Sequence, residues 1–196
     1  ELGCSGALLK AIDNGKKVGI VDLTRGELGT RGSSGIRSKE TKAASKALGI
    51  DIRENLEFKD GFFSNDIEHQ MKVISIIRKY KPDFIFCNAP DDRHIDHPRG
   101  AKLVIDSCFL SGLKNIVTKY KNKEQEPWRP LNIYHYIQWK NLKPDFVVDI
   151  SNHFQTKIKA VKAFESQFYD GNETEHITPI STKNFIDSIE YRARDL

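Results

Sequence analysis

The segment PDDRHIDHPRG, residues 90–100, places two histidines and three aspartates within Asp91 to His97. His94 and His97 are three residues apart, a spacing that puts both imidazoles on one side of a helical turn. Asp96 lies between them, close enough to orient a neighbouring imidazole or tune its charge. Three readings compete: a metal site, an acid–base site, and a solvated loop. A catalytic zinc takes three protein ligands and keeps one position open for water. This segment offers only one or two, and no other His, Cys or acidic cluster in the chain has ligand spacing. From spacing alone, a surface or helix-start role competes with metal binding.

The elements around the motif give it a place. Residues 5–15, SGALLKAIDNG, have helical spacing and stop at Gly15. KKVGIVDL reads as a buried strand, followed by a long glycine-rich loop, TRGELGTRGSSG. SKETKAASKALG reads as a helix ending at Gly49, and RENLEF as a short strand. SNDIEHQMKVISIIRKYKPD reads as a helix with Ser64 as N-cap. It carries Ile67, Met71, Ile74 and Ile77 on one face, and Pro82 closes it. DFIFCNA is a continuously apolar strand of the kind covered on both faces of a parallel sheet, and the motif follows it directly. Pro98 suits the first turn of a helix over 98–113. Later come strands at LNIYHYIQW and DFVVDIS, then a helix at FQTKIKAVKAFESQF with Phe154, Ile158, Val161 and Phe164 on one face, and another at NFIDSIEYRARDL. Helices alternating with strands predict an α/β, Rossmann-like, mostly parallel sheet with helices on both faces. Ligands of such sheets sit beyond the carboxyl ends of the strands. The loops at 24–37 and 90–97 both follow strands and are expected at that edge.

The bulk numbers set the class. A chain of 196 residues fits one domain and can bury about 70% of its unfolded surface without a disulfide or metal staple. With 38% apolar and 30% charged residues and no run long enough to span a bilayer, it reads as soluble. The three cysteines (Cys4, Cys87, Cys108) form no C-x-x-C pair and read as buried free thiols of a reducing cytoplasm. A net charge of +4 is modest. The densest basic run, KYKNKEQ from Lys119, is diluted by acids and reads as a solvated loop, which argues against a nucleic-acid or membrane partner.

Five separated stretches, ELGCSGALL, DLTRGELGTRG, PDDRHIDHPRG, IYHYIQW and EYRARDL, together resemble the LmbE-like, or PIG-L, family of zinc-dependent N-acetylglucosamine deacetylases. Within it they look most like the branch that deacetylates N-acetylglucosaminyl-malate in bacillithiol biosynthesis. The family carries an A-H-P-D-D-x-E motif at the end of its first strand, and Glu1 resembles its last residue. The resemblance implies that His97 is one zinc ligand. Its two partners and the general base would then lie upstream of Glu1. The chain opens without a methionine and ends inside a helix-like segment. It is therefore expected to be a single deacetylase domain, residues 1–196, cut at both ends and lacking its first strand.

The resemblance also implies roles. His94 matches the family's second histidine, which as an imidazolium would stabilise the oxyanion or protonate the leaving amine. Asp96 would hold a histidine in orientation, with a plain helix N-cap as the competing role. Arg25, Glu27 and Arg37 line the glycine-rich loop and could bond sugar hydroxyls or grip a carboxylate, against an alternative of loop-stabilising ion pairs. Arg93 could do likewise, oriented by Asp91 or Asp92. Tyr136 or Trp139 could form a stacking wall, while Glu1 and Asp92 would support the site from behind. His135 reads as a packed strand residue, and His69, His153 and His176 show no constellation. The implied cofactor is Zn2+, with other divalent metals possible at such a site. The implied partner is a small amino sugar, and relatives of this kind often form homo-oligomers. The competing functions are a deacetylase of another acetylated amine and a carbohydrate- or partner-binding relative without metal. A phosphohydrolase with an HD pair fits poorly, because those sites sit in all-helical domains.

Overall fold

In the computed structural model, which describes residues 1–168 and 176–195, the chain is mixed α/β. Its first elements are α1 (Ser5–Asp13), β1 (Gly19–Thr24), α2 (Ser34–Leu48), β2 (Ile52–Phe58), α3 (Ile67–Tyr80) and β3 (Phe84–Asn88). Then come α4 (Asp96–Ser111), β4 (Lys119–Tyr120), β5 (Lys123–Glu124), β6 (Asn132–Tyr136), α5 (Phe154–Lys162) and α6 (Lys183–Asp195). These fall into two compact units, residues 1–55 with 144–196 and residues 56–143. Leu196, the last residue of EYRARDL, lies outside the described residues.

In the first unit β1 and β2 are hydrogen-bonded neighbours, and α1 and α2 pack on α5. Leu9, Leu48, Ile50 and Ala160 form one buried cluster, and Ala44, Val161, Phe164, Phe168 and Ile189 another. The expected apolar face of α5 is therefore the one that is buried. Ser33 caps α2 through the Ile36 N–H, and Gly49 ends it in the left-handed conformation. Arg53 on β2 forms a two-pronged pair with Asp22 on β1, Nε–Oδ2 2.7 Å and Nη2–Oδ1 2.9 Å, and its third nitrogen meets the Glu1 carboxylate. Residues 145–151, expected as a strand, form no ladder among the described residues, and Phe146, Val147 and Val148 are exposed. A β-branched run supplies propensity but not a hydrogen-bonding partner.

In the second unit β3 and β6 pair in parallel, from Phe84 opposite Asn132 to Asn88 opposite Tyr136. Helix α4 packs on β3 and on α3. Strand β3 is not covered on both faces: Phe84 and Phe86 lie beside Tyr134 and stay exposed, while Cys87 is buried. A short apolar run does not distinguish these cases. The basic run at 119–125 forms a small antiparallel hairpin, β4–β5, turning through Lys121 and Asn122 at φ 50° and 63°. All three cysteines are free and Cys87 and Cys108 are buried. Burial pushes the Cys108 thiol up to about 12, which makes it unreactive.

Helix α3 starts two residues later than the sequence suggests. Asp66, not Ser64, is its cap, accepting from the His69 N–H at 3.0 Å while the Ser64 hydroxyl supports its other oxygen at 2.9 Å. Ile67 is therefore exposed, and the buried face is Val73, Ile74, Ile77 and Arg78. The backbone and side chain of His69 hold the Asp66 carboxyl down at about 2, against about 3.9 in an unfolded chain. A depressed folded-state pKa gives stability that is complete above the unfolded value and lost as pH falls through the folded one. Asp66→Ala should lower the melting temperature at pH 7, and the deficit should narrow between about pH 4 and pH 2. Circular-dichroism melts of both proteins across that range check this; a constant gap would contradict it.

Candidate active site

The parallel pairing of β3 and β6 puts the carboxyl ends of both strands at one edge, and the loops leaving them are tied together there. The Asn88 amide donates to Gln138 Oε1 at 3.1 Å, Asp91 pairs with Lys140 at 2.5 Å, and the Trp139 N–H donates to Asp92 at 3.3 Å. The Arg93 guanidinium lies over the Trp139 ring, 4.6 Å from its centre. Tyr136 sits at the same edge, opposite Asn88. Trp139 thus has one face occupied by Arg93 and its N–H on Asp92, while Asp91 is paired with Lys140.

His94 and His97 are brought together. The chain turns through a His97 N–H to His94 carbonyl bond of 3.0 Å, and the two rings stack at 5.1 Å and 28°. The acid on His97 is Asp92: its Oδ2 lies 3.2 Å from His97 Nδ1, and its side chain is almost wholly buried. Burial alone would raise the Asp92 carboxyl, but hydrogen bonds from the Arg93 and Trp139 N–H groups and the His97 ring beside it hold it below the usual carboxylate range. Burial pushes His97 below its ordinary value, against the pull of Asp92.

Asp96 does something other than orient a histidine. Its two oxygens are taken by the Gly61 N–H at 2.8 Å and by Arg99 Nη1 at 2.7 Å, and Arg99 also reaches the Gly61 carbonyl at 2.9 Å. It is the first residue of α4 rather than its N-cap, which is Ile95. Asp96 therefore pins the Gly61 turn to the start of the helix. Its link to His94 is through the backbone: the Asp96 N–H donates to His94 Nδ1 at 3.2 Å. In that bond Nδ1 is the acceptor, which leaves Nε2 as the ring nitrogen not engaged by Asp96.

The remaining candidates lie in the first unit. Glu1 joins the Arg53–Asp22 cluster. Arg25 and Glu27 are exposed on the loop after β1, and Arg37 lies over the Phe164 ring with its guanidinium beside Gly26. Sequence reasoning missed Arg53, whose only signal is an arginine inside a strand, and missed Asp92 as the partner of His97.

His97 suits one position in a metal's ligand set. Its Nδ1 is buried and, among the described residues, makes no full hydrogen bond, with Asp92 Oδ2 3.2 Å away. The side chain is 24% exposed although Nδ1 is buried. A carboxylate behind one ring nitrogen fixes the other as the free lone pair, as in carboxylate–histidine–zinc arrangements. Among the described residues no group of three His, Cys, Asp or Glu gathers around a point, so a zinc at His97 would need further donors.

The family described as PIG-L, GlcNAc-PI de-N-acetylase, matches residues 1–108. The chain belongs to the PIG-L family. That match takes in Arg25, Glu27, Arg37, Asp92, Arg93, His94, Asp96 and His97, and leaves Tyr136 and Trp139 outside it. Similar to this PIG-L chain is the diacetylchitobiose deacetylase of Thermococcus kodakarensis, 29% identical over 181 residues, 85% of this chain and 65% of that protein. The chain thus spans less than two thirds of that curated relative. Among solved structures, the conserved protein TT1542 from Thermus thermophilus is 31% identical with a TM-score of 0.86, over 99% of this chain and 81% of that one. The N,N'-diacetylchitobiose deacetylase from Pyrococcus horikoshii is 26% identical with a TM-score of 0.78, over 99% and 71%. The 4-carboxy-2-hydroxymuconate hydratase GalB from Pseudomonas putida, at 17% identity and TM-score 0.72 over 97% and 78%, shares the fold alone. A hydratase on the same fold shows that function has to be argued from the site.

Proposed function

We propose that this chain hydrolyses the N-acetyl group of a glucosamine-type sugar, releasing acetate and a free amine, with N-acetylglucosaminyl-malate as its substrate. The observation that carries this reading is the His94–His97 stack with Asp92 behind His97, at the carboxyl edge of a parallel strand pair in a PIG-L chain. A divalent ion held by His97 and further donors would act as a Lewis acid on the acetamide carbonyl. His97, neutral with Nδ1 turned to Asp92, would present Nε2. His94, with Nδ1 occupied by the Asp96 N–H, would present an Nε2–H donor to the carbonyl oxygen as charge develops there. Trp139, Lys140 and Gln138 hold the loop that carries Asp92, so the pair is set before substrate arrives. Beside the histidine pair, Arg93 is a cation suited to a malate carboxylate; in the first unit Arg25 and Arg37 have the same chemistry, and Glu27 suits a sugar hydroxyl.

Diacetylchitobiose is the second substrate to consider, because two relatives bear that name. Amine release from N-acetylglucosaminyl-malate, diacetylchitobiose and N-acetylglucosamine, with and without a chelator, separates the readings. The expected result is chelator-sensitive release, fastest from the malate glycoside and restored by zinc. Faster release from diacetylchitobiose would move the substrate. No release and no metal bound would leave a sugar-binding relative.

A further inference from the structure

The loop after β1 carries two of the proposed sugar contacts, Arg25 and Glu27, and two of its glycines, Gly26 and Gly32, sit at φ 64° and 79°. A loop of this kind has many conformations of similar energy, so something outside it must select one. At its start, the Asn55 amide holds the Thr24 carbonyl at 2.7 Å. At its end it meets the turn that follows α5, residues 164–168.

That turn is built to receive it. Gln167 Nε2 donates to the Arg31 carbonyl at 2.8 Å and to Ser166 Oγ at 3.0 Å. The Ser166 N–H and hydroxyl in turn donate to the two oxygens of Glu40, at 2.6 and 3.0 Å. Glu40 is buried in the middle of α2, the helix that the loop leads into. A carboxylate there is costly unless both oxygens are satisfied, and Ser166 satisfies both. A Cβ at Gly32 would lie 2.6 Å from Ser166 Oγ and 2.9 Å from its Cβ, so the loop backbone rests directly on this serine. Gln167, Ser166 and Glu40 thus form one chain of bonds from a buried helix position to the loop backbone.

We propose that Gln167, backed by the Ser166–Glu40 pair, is a positioning residue that sets the conformation of loop 25–33 and so the affinity for the sugar. It acts through Arg25 and Glu27 and has no part in the hydrolytic step. The inference rests on the reading that these two side chains contact the sugar.

The test uses the full chain carrying Gln167→Leu, which keeps the bulk and removes the donor, and the milder Ser166→Ala. Amide hydrogen exchange reads the loop, calorimetric titration with N-acetylglucosaminyl-malate reads affinity, and amine release reads kcat. Both variants should speed exchange across 25–33 while β1 and α2 keep their protection. Affinity should fall about fivefold to tenfold, the weight of one net hydrogen bond, with kcat held. Unchanged loop exchange would overturn the latch, and faster exchange with unchanged affinity would overturn its role in binding. A wild-type chain that binds the sugar but releases no amine would sink the deacetylase reading and leave this inference to the exchange and affinity results. A wild-type chain that binds no amino sugar would overturn both.

Discussion

Replacing His97 with alanine is expected to abolish the metal binding proposed for this site and to lower amine release by at least about a thousandfold, since the proposed Lewis acid would be lost with its ligand. Asp92→Asn is the graded companion. It keeps the shape behind the ring but takes away the charge that fixes Nδ1 as the protonated nitrogen, which should cost about 10–100-fold in metal affinity or activity. Asp92 is almost wholly buried and also receives the Trp139 N–H, so the asparagine is preferable to alanine, which would leave that donor and Nδ1 unpaired together. Metal content by elemental analysis, read beside kcat, separates the two effects. A His97→Ala protein that holds stoichiometric metal and turns over normally would return His97 to the competing role of a polar residue at a helix start. His94→Ala should leave metal content unchanged and cost about 10²–10³-fold in kcat, the weight of one donor to a developing oxyanion.

The parts of this fold that follow from periodicity were legible. The apolar face of α5, the glycine stop of α2 and the parallel placement of the motif after β3 could all be read from spacing. Single side chains choosing among several partners were not. Asp92 and Asp96 are both acids within hydrogen-bonding reach of a histidine in sequence, yet only Asp92 lies on a ring. Asp96 is drawn away by the Gly61 N–H and Arg99, a partner 35 residues distant and one on its own helix. The Ser64 and Asp66 choice at α3 has the same character, because both are good caps and Asp66 prevails by taking the His69 N–H and ring together. Residues 145–151 failed for the opposite reason, since strand propensity was present and no strand among the described residues pairs with them. Glu40 gave no signal at all: a glutamate in a polar helix looks solvated until Ser166 arrives from 126 residues away.

Arg78→Met should strongly destabilise the second unit. Arg78 is 3% exposed and spends its donors on the last residue of α4 and the segment that follows it: the Ser111 carbonyl at 3.0 Å, the Leu113 carbonyl at 2.8 Å, the Ile116 carbonyl at 2.6 Å and the Thr118 hydroxyl at 3.0 Å. One buried cation thus answers the last carbonyl of α4, where the helix carries partial negative charge, together with three acceptors of the segment beyond it. Methionine fills the space and supplies no donor. The loss is expected to be at least about 3 kcal/mol, from the charge-assisted bonds and the acceptors left short of partners. That is a large share of the roughly 5–15 kcal/mol that holds a domain of ordinary stability. Arg78→Lys should recover part of it, since an ammonium reaches fewer of the four acceptors. Urea unfolding followed by circular dichroism measures both, and a methionine variant within about 1 kcal/mol of wild type would mean that water can replace the guanidinium. The same helix begins with Asp96 and His97, so its two ends are held by two different arginines, Arg99 on the Gly61 turn and Arg78 on the carbonyls. Loosening the far end leaves Asp96 and Arg99 in place, so a folded Arg78→Lys chain should keep its metal while losing stability. A metal loss that tracked the stability loss would instead mean that the first turn of α4 depends on the whole helix for its placement.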